Sequence, residues 1–172
     1  MKNNKSNIVL IGMPGAGKST IGVLLAKAMG FSFCDTDLVI QKEEGRTLQV
    51  IIDEHGISYF LEREKEIIHS LCLTKHIIAT GGSVVYYDST LDHLKKSGVI
   101  VYLNVPFDEL ERRITNIDTR GVAMGKHESL QDIYFERLPL YTKHAEHNIQ
   151  CKGKHMEEIV KELVTLLKKK IQ

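Results

Sequence analysis

Residues 11–20 read IGMPGAGKST, and this stretch decides the fold. It fits the pattern G-x-x-x-x-G-K-[ST] in full, from Gly12 to Ser19, directly after an apolar run. Glycines let the backbone turn several N–H groups toward phosphate oxygens, and a helix that begins there adds partial positive charge. Lys18 can reach the β- and γ-phosphates, and the Ser19 hydroxyl can bind Mg²⁺. The stretch therefore predicts a nucleotide-binding loop, whose residues are Gly12, Pro14, Gly15, Ala16, Gly17, Lys18, Ser19 and Thr20.

Short apolar runs alternate with helical patterns along the rest of the chain. Strands are predicted at 7–12, 31–34, 76–80, 99–105 and 148–152, and helices at 18–29, 47–55, 56–73, 88–97, 107–115, 129–146 and 155–171. Such alternation is typical of a parallel sheet with helices on both faces. We therefore predict an α/β protein, a single-domain three-layer P-loop fold over residues 1–172 with a central five-stranded parallel sheet. The polar segment at about 116–128 is predicted to be a lid loop.

The bulk composition excludes several kinds of partner. Lys and Arg number 23 against 22 for Asp and Glu, so the chain lacks the broad basic footprint of nucleic-acid-binding proteins. Three cysteines without a C-x-x-C pair argue against a disulfide framework or a zinc knuckle. The apolar run near the start is too short for a signal sequence or a membrane span. We expect a cytoplasmic monomer with no nucleic-acid or membrane partner.

The size and the missing motifs narrow the class of nucleotide-binding protein. A switch GTPase would carry an N-K-x-D guanine motif, and the sequence has none. A motor ATPase would be larger and would carry a strand that ends in paired acids, whereas the strand at 76–80 ends in glycines. A small kinase with ATP as phosphoryl donor fits best.

Two further strands are followed by residues that suit a ligand site. Asp35 and Asp37 close the second strand, where a spacing of two would point both carboxylates the same way on extended chain. One could serve a metal ion and the other an acceptor hydroxyl, although Asp37 could instead be the N-cap of a helix that starts at Leu38. Gly81 and Gly82 follow the third strand, as a simple turn or as a place where a substrate approaches the backbone. The carboxyl ends of parallel strands share one edge of the sheet, so these groups are expected to meet the loop.

The chain resembles the shikimate kinase family, which has the nucleoside-monophosphate-kinase-like P-loop fold, over nearly its whole length. The motifs that carry the resemblance are GMPGAGKST, DTD, FLERE, TGGSV, VIVYLNV, DTRGVAM and ERLPLY. The resemblance implies ATP and Mg²⁺ as cofactors and a small hydroxylated acceptor. It implies that Lys18, Asp37 and Arg120 are catalytic, with Arg120 closing over the phosphates from the lid. The other implied roles are Mg²⁺ binding by Ser19 and by Asp35 in the outer shell, adenine contact by Arg113, and acceptor binding by Asp37, Gly81, Gly82 and Arg137, the last gripping a carboxylate.

Three departures from the family pattern concern the acceptor side. The family helix F-R-x-x-E reads Phe60-Leu61-Glu62-Arg63-Glu64 here, and Arg63 lies two positions from the expected arginine, on another helix face. Ser83 stands where the family has a third glycine, and the lid reads RGVAM rather than arginine-proline-leucine-leucine. The leading prediction is phosphorylation of shikimate to 3-phosphoshikimate. The alternatives are a kinase of another small hydroxy acid or of an amino-acid alcohol such as homoserine, a nucleoside-monophosphate kinase, and a catalytically quiet nucleotide-binding protein.

Overall fold

The structure is a computed structural model that describes residues 5–114, 121–125 and 128–171. Its strands are β1 Asn7–Ile11, β2 Ser32–Asp35, β3 His76–Ala79, β4 Gly98–Asn104 and β5 His147–Gln150. Its α-helices are α1 Lys18–Met29, α2 Thr36–Glu44, α3 Leu48–His55, α4 Ile57–Ser70, α5 Asp88–Ser97, α6 Phe107–Arg113, α7 Leu130–His144 and α8 Met156–Leu167. A 3₁₀-helix spans Gly82–Tyr86.

The five strands form one parallel sheet in the order β2-β3-β1-β4-β5. β1 lies at its centre, where Val9 pairs with Ile78 on one side and with Ile100 on the other. Every residue of β1 is buried, because both faces of the sheet are covered, and this explains its continuous apolar run. The predicted five-stranded parallel sheet is confirmed.

The two directions of strand crossover put helices on both faces of the sheet. α1 leads from β1 toward β2, whereas α5 leads from β3 to β4 in the opposite direction. Right-handed crossovers in opposite directions lie on opposite faces, so these two helices cover different sides. α1 also packs against α8, while α5 and α7 pack against β4. The predicted three-layer architecture is confirmed.

A second, smaller apolar cluster lies between α2, α3 and α4, beside the main core. Its buried members are Ile40, Leu48, Ile51, Phe60, Ile67 and Ala123. The cluster ties residues 121–125 to α3, since Ala123 belongs to it and Gly121 lies against Leu48. It therefore supports one wall of the space above the sheet edge.

Two elements near that edge differ from the expectations, which considered a helix there only as an alternative that starts at Leu38 and a turn after β3. α2 begins at Thr36, and the Asp35 carboxylate caps it by accepting from the backbone N–H groups of Asp37 and Leu38. The alternative that Asp37 is the N-cap is therefore wrong, and so is the premise that both acids lie on extended chain. The 3₁₀-helix Gly82–Tyr86 likewise replaces a simple turn after β3. Among the helices of the described ranges, none is long and apolar enough to cross a membrane.

Candidate active site

A cleft of about 700 Å³ opens beyond the carboxyl ends of β1, β2 and β3. On one side, which we call the nucleotide side, lie residues of the 14–20 loop together with Arg113 and residues 154–156. On the other side, which we call the acceptor side, lie Asp37, residues 81–83 and Arg137. The groups that the sequence predicts from separate segments thus meet in one space, as expected for a parallel sheet.

The loop on the nucleotide side is held in shape by backbone geometry and by Lys18. Gly17 precedes α1 with a φ of 93°, a left-handed conformation that glycine adopts without strain. Lys18 begins the helix, is 8% exposed, and donates from Nζ to the carbonyl oxygens of Gly12 and Met13, each at 2.8 Å. The ammonium therefore lies over the loop, at the start of a helix whose N–H groups suit an anion.

Some of the predicted loop residues line the cleft, and the others are buried beneath the loop. Gly12 and Ala16 are buried, and they support the loop from below. The remaining members line the cleft, namely Pro14, Gly15, Gly17, Lys18, Ser19 and Thr20.

The two predicted metal-binding residues lie in contact with each other. The Ser19 hydroxyl donates to Asp35 Oδ2 at 2.6 Å, across the gap between the loop and the end of β2. Hydroxyl and carboxylate oxygens are ligands that Mg²⁺ accepts, in company with phosphate oxygens and water. The chemistry of this pair therefore fits a magnesium ion beside a bound triphosphate.

Asp37 lies in the first turn of α2 and projects one carboxylate oxygen into a buried position. Its Oδ1 atom has no hydrogen-bond partner within the described part of the chain. Burial, with a further contribution from the charge of Asp35, raises the pKa of Asp37 to about 6, while the charge of Lys18 opposes the shift. A carboxylate with an unused acceptor beside the phosphate loop can orient a hydroxyl group or accept its proton.

Gly81 and Gly82 permit several polar groups to crowd together at the acceptor side. A Cβ on Gly81 would lie 2.7 Å from Glu64 Oε1 and 2.8 Å from Asp37 Oδ1. A Cβ on Gly82 would lie 2.8 Å from the Pro14 ring and 2.9 Å from Arg137 Nη1. The two glycines are therefore needed for close packing of these groups, which goes beyond the requirements of a turn.

Arg137 on α7 is 1% exposed and is held in place by aromatic and backbone groups. Its Nε donates to the Tyr86 hydroxyl at 3.0 Å, its Nη2 donates to the Ala123 carbonyl oxygen, and its guanidinium lies over the Tyr86 ring. Tyr141 fixes the facing backbone by donating from its hydroxyl to the Gly82 carbonyl oxygen at 2.6 Å. The Nη1 end remains beside Gly82 at the cleft, where it is suited to an anionic group.

Several cleft groups were not found by reasoning from the sequence. Lys154, His155 and Met156 line the far end near Arg113, which pairs with Glu109. They follow β5, so the strand-end rule that pointed to Asp35 could have found them.

Glu64 and Ser83 were also missed as a pair. Glu64 on α4 is 2% exposed, lies behind Gly81 and Ser83, and accepts from the Ser83 hydroxyl at 2.8 Å. The same helix also carries Leu61, which replaces the family's arginine, and Arg63, the residue considered as its stand-in. Leu61 packs against the smaller cluster, and Arg63 pairs with Glu44 and Glu66, so Arg63 does not stand in for an arginine at position 61.

The lid prediction is only partly accessible to the structure. Arg120 lies outside the described residues, as do 116–119 and 126–127 of the predicted lid. Residues 121–123 line the cleft.

Comparisons with known proteins agree with this architecture. The family model for shikimate kinase matches residues 14–168. A shikimate kinase of Clostridium botulinum (strain 657 / Type Ba4) is 39% identical over 158 residues, which cover 90% of this chain and 92% of that protein.

Solved structures give the same result. The shikimate kinase of Acinetobacter baumannii in complex with shikimate superposes with a TM-score of 0.88 at 28% identity, covering 99% of this chain and 97% of that one. The enzyme of Aquifex aeolicus superposes with a TM-score of 0.81 at 30% identity, covering 94% and 96%. The matched residues 14–168 include the phosphate loop from Pro14 onward, both strand-end sites and the arginine of α7, and the chain therefore belongs to the shikimate kinase family of small-molecule kinases.

Proposed function

We propose that this chain transfers the γ-phosphoryl group of ATP to the 3-hydroxyl group of shikimate. The observation that carries the proposal is the juxtaposition, in one cleft, of the complete phosphate loop with Asp37, Gly81, Gly82 and Arg137. A P-loop alone is shared by many enzymes, whereas an acid and a buried guanidinium opposite the loop suit a small acceptor that has both hydroxyl and carboxylate groups.

The chemical step needs little from the protein beyond positioning and charge. The acceptor oxygen forms a bond to the γ-phosphorus, the bond from that phosphorus to the β,γ-bridging oxygen breaks, and ADP leaves with the electron pair. Asp37 orients the hydroxyl and takes its proton. Lys18 balances the negative charge of the phosphoryl oxygens, and Arg120 is proposed to join it from the lid.

The remaining residues bind and align the two substrates. Ser19 and Asp35 would hold Mg²⁺, which neutralises charge on the β- and γ-phosphates when it is bound. Arg113 would contact the adenine at the far end of the cleft. Arg137 would bind the acceptor carboxylate through Nη1, the end of the guanidinium that lies beside Gly82 at the cleft, while Nε donates to Tyr86 and Nη2 to the Ala123 carbonyl oxygen.

A second acceptor class is favoured by one observation. The arginine position of the acceptor helix is Leu61, while two carboxyl groups, Asp37 and Glu64, lie near Gly81. Carboxylates attract an ammonium group, and a cation bound there would favour ionisation of both acids, so an amino-acid alcohol such as homoserine is the competing substrate.

An acceptor panel tests the proposal. Shikimate, shikimate methyl ester, homoserine and gluconate would each be supplied with ATP and Mg²⁺, with ADP release as the rate and phosphorus NMR to identify the product. We expect turnover of shikimate to 3-phosphoshikimate and a large increase in KM for the methyl ester, which lacks the charge that Arg137 binds. Faster turnover of homoserine than of shikimate would overturn the proposal in favour of the second class.

A further inference from the structure

Glu64 is a buried acid that the proposed transfer does not use. It lies behind the cleft wall, 2% exposed, with Ser83 as its hydrogen-bond donor at Oε2. Its Oε1 atom has no partner among the residues that the structure describes. A carboxylate buried without a cation or several donors is costly, so such a group usually keeps its proton.

The surroundings of Glu64 favour the protonated acid. The titratable and charged groups that interact electrostatically with Glu64 are Asp37 on α2, Lys18 on α1, Arg137 and Tyr141 on α7, and Tyr87 after the 3₁₀-helix. Burial has the largest effect on the pKa of Glu64, and the nearby charge of Asp37 has the second largest; together they raise it to about 8. Ser83, Arg137 and Lys18 oppose this shift. A proton on Oε1 also removes a like charge from the point where Oε1 and Asp37 Oδ1 approach Gly81.

The charge on Glu64 matters because of what the acceptor brings. Under the proposed function, a carboxylate binds at Arg137 Nη1, beside Gly82. Ser83 lines the same cleft, and its hydroxyl group connects it to Glu64. An ionised Glu64 would repel the incoming carboxylate and cancel part of the attraction of Arg137, whereas the neutral acid does neither.

We propose that Glu64 is a positioning residue that remains a neutral carboxylic acid while the acceptor is bound, fixed by the Ser83 hydroxyl, and that its neutrality lets the Arg137 guanidinium hold the acceptor carboxylate. This inference rests on the proposed function, and it adds a proton to the acceptor-binding equilibrium. Ser83 thereby has a role that a glycine at its position could not perform. The acceptor and a proton bind together above pH 7.

Proton uptake can be measured directly by calorimetry of shikimate binding in two buffers of different ionisation enthalpy at pH 8. Near its pKa, Glu64 is about half protonated in the free enzyme, so wild type should take up about half a proton for each shikimate bound. Glu64→Gln is neutral at every pH and should abolish that uptake. Glu66→Gln is the matched control, because Glu66 is on the same helix, is exposed, and pairs with Arg63.

A kinetic measurement gives a second readout. The KM of wild type for shikimate should rise about tenfold by pH 9, because the fraction of enzyme in which Glu64 is protonated falls. The value of kcat at saturating shikimate should not change. Glu64→Gln should lose this rise. Ser83→Ala removes a hydrogen bond that favours the ionised form of Glu64. In this variant the rise of KM should therefore occur at higher pH, and the proton uptake on shikimate binding at pH 8 should be smaller.

The outcomes separate this inference from the function on which it rests. If wild type does not bind shikimate at pH 6.5, the proposed function fails and the inference fails with it. If wild type binds and phosphorylates shikimate but takes up no proton at pH 8, only the inference is overturned, and that result does not depend on whether any variant folds. Uptake that persists unchanged in folded Glu64→Gln would also overturn it.

Discussion

The nucleotide side and the acceptor side of the cleft are built on different principles. The nucleotide side is largely one contiguous loop, in which backbone N–H groups and the Lys18 ammonium are the proposed binding groups. The acceptor side is assembled from side chains of four distant elements, with Asp37 from α2, Glu64 from α4, Ser83 from the 3₁₀-helix and Arg137 from α7. The loop is restricted in sequence by glycines with positive φ, such as Gly15 and Gly17, whereas a side-chain assembly can be altered one residue at a time.

The two sides also differ in their electrostatics. On the nucleotide side, Ser19 is exposed and Asp35 is occupied by the Ser19 hydroxyl and by the start of α2. On the acceptor side, Asp37 and Glu64 each have a buried oxygen without a partner among the described residues, and both have a raised pKa. Substitutions on the nucleotide side should therefore abolish transfer, and those on the acceptor side should change the choice of acceptor and the response to pH.

The largest effect is expected at Lys18. Lys18→Ala removes the ammonium that is proposed to balance charge on the transferring phosphoryl group, and we expect kcat to fall about 10³-fold, the scale of losing a preorganised charge contact. ADP release at saturating ATP and shikimate measures it. Lys27→Ala, at the exposed end of the same helix, should leave the rate unchanged. Wild-type turnover in folded Lys18→Ala would contradict the assignment of the loop.

A smaller loss of rate is expected at Asp37. Asp37→Asn keeps the shape of the side chain but removes the charge that is proposed to orient and deprotonate the hydroxyl, so kcat should fall about 10²-fold. ATP affinity should change little, because Asp37 belongs to the acceptor side. The exposed Asp92→Asn on α5 is the control. Collapse of ATP affinity with a preserved kcat would make Asp37 a nucleotide-binding residue and blur the distinction between the two sides.

The sequence predicted the fold and the nucleotide side well because their signals are local. Helix α1 has its predicted bounds, since Gly17 and Gly30 mark both ends in left-handed conformations. α2 was considered only as an alternative starting at Leu38, because only Thr36 and Ile40 of its nine residues are buried, which leaves a weak helical pattern. The 3₁₀-helix Gly82–Tyr86 is too short to give any periodic signal.

The acceptor side could be predicted only in part, because its key contacts join distant residues. Asp37, Gly81 and Gly82 follow strands, so topology brought them to the cleft. Glu64 lies in the charge-rich run FLEREKEII, where nothing in the sequence separates one buried acid from its exposed neighbours. Its hydrogen-bond partner is Ser83, which is 19 residues away and belongs to another element.

A stability measurement tests the electrostatic difference between the sides. The ordinary pKa of a glutamate is 4.5, and that of Glu64 in the folded protein is raised to about 8, so between these values the folded state holds a proton that the unfolded state has lost. The contribution of this proton to the free energy of unfolding is therefore present in full below about pH 4.5. It is lost as pH rises toward 8, by about 1.4 kcal/mol per pH unit. Glu64→Gln removes this dependence.

Urea unfolding of both proteins at pH 5.5 and pH 7.5 measures the effect. Relative to wild type, Glu64→Gln should gain about 2 to 3 kcal/mol over these two pH units, while Glu66→Gln at an exposed position should gain nothing. Parallel pH dependence in wild type and Glu64→Gln would mean that Glu64 is ionised in the folded protein.

The smallest change in activity is expected for Leu61→Arg, although this variant best tests how the acceptor side differs from the nucleotide side. Leu61 lies one helical turn before Glu64, where residues three apart are neighbours. An arginine there would lower the pKa of Glu64 and pair with its carboxylate, adding one positive and one negative charge together. The net charge that faces the acceptor carboxylate would hardly change, so Leu61→Arg should alter the KM for shikimate at pH 7 by less than about threefold, within the range of a partly screened ion pair.

The rise of KM above pH 8 should disappear in Leu61→Arg, because Glu64 would already be ionised and paired. A tenfold gain in kcat/KM for shikimate would instead show that the acceptor side of this chain is adapted to a different substrate.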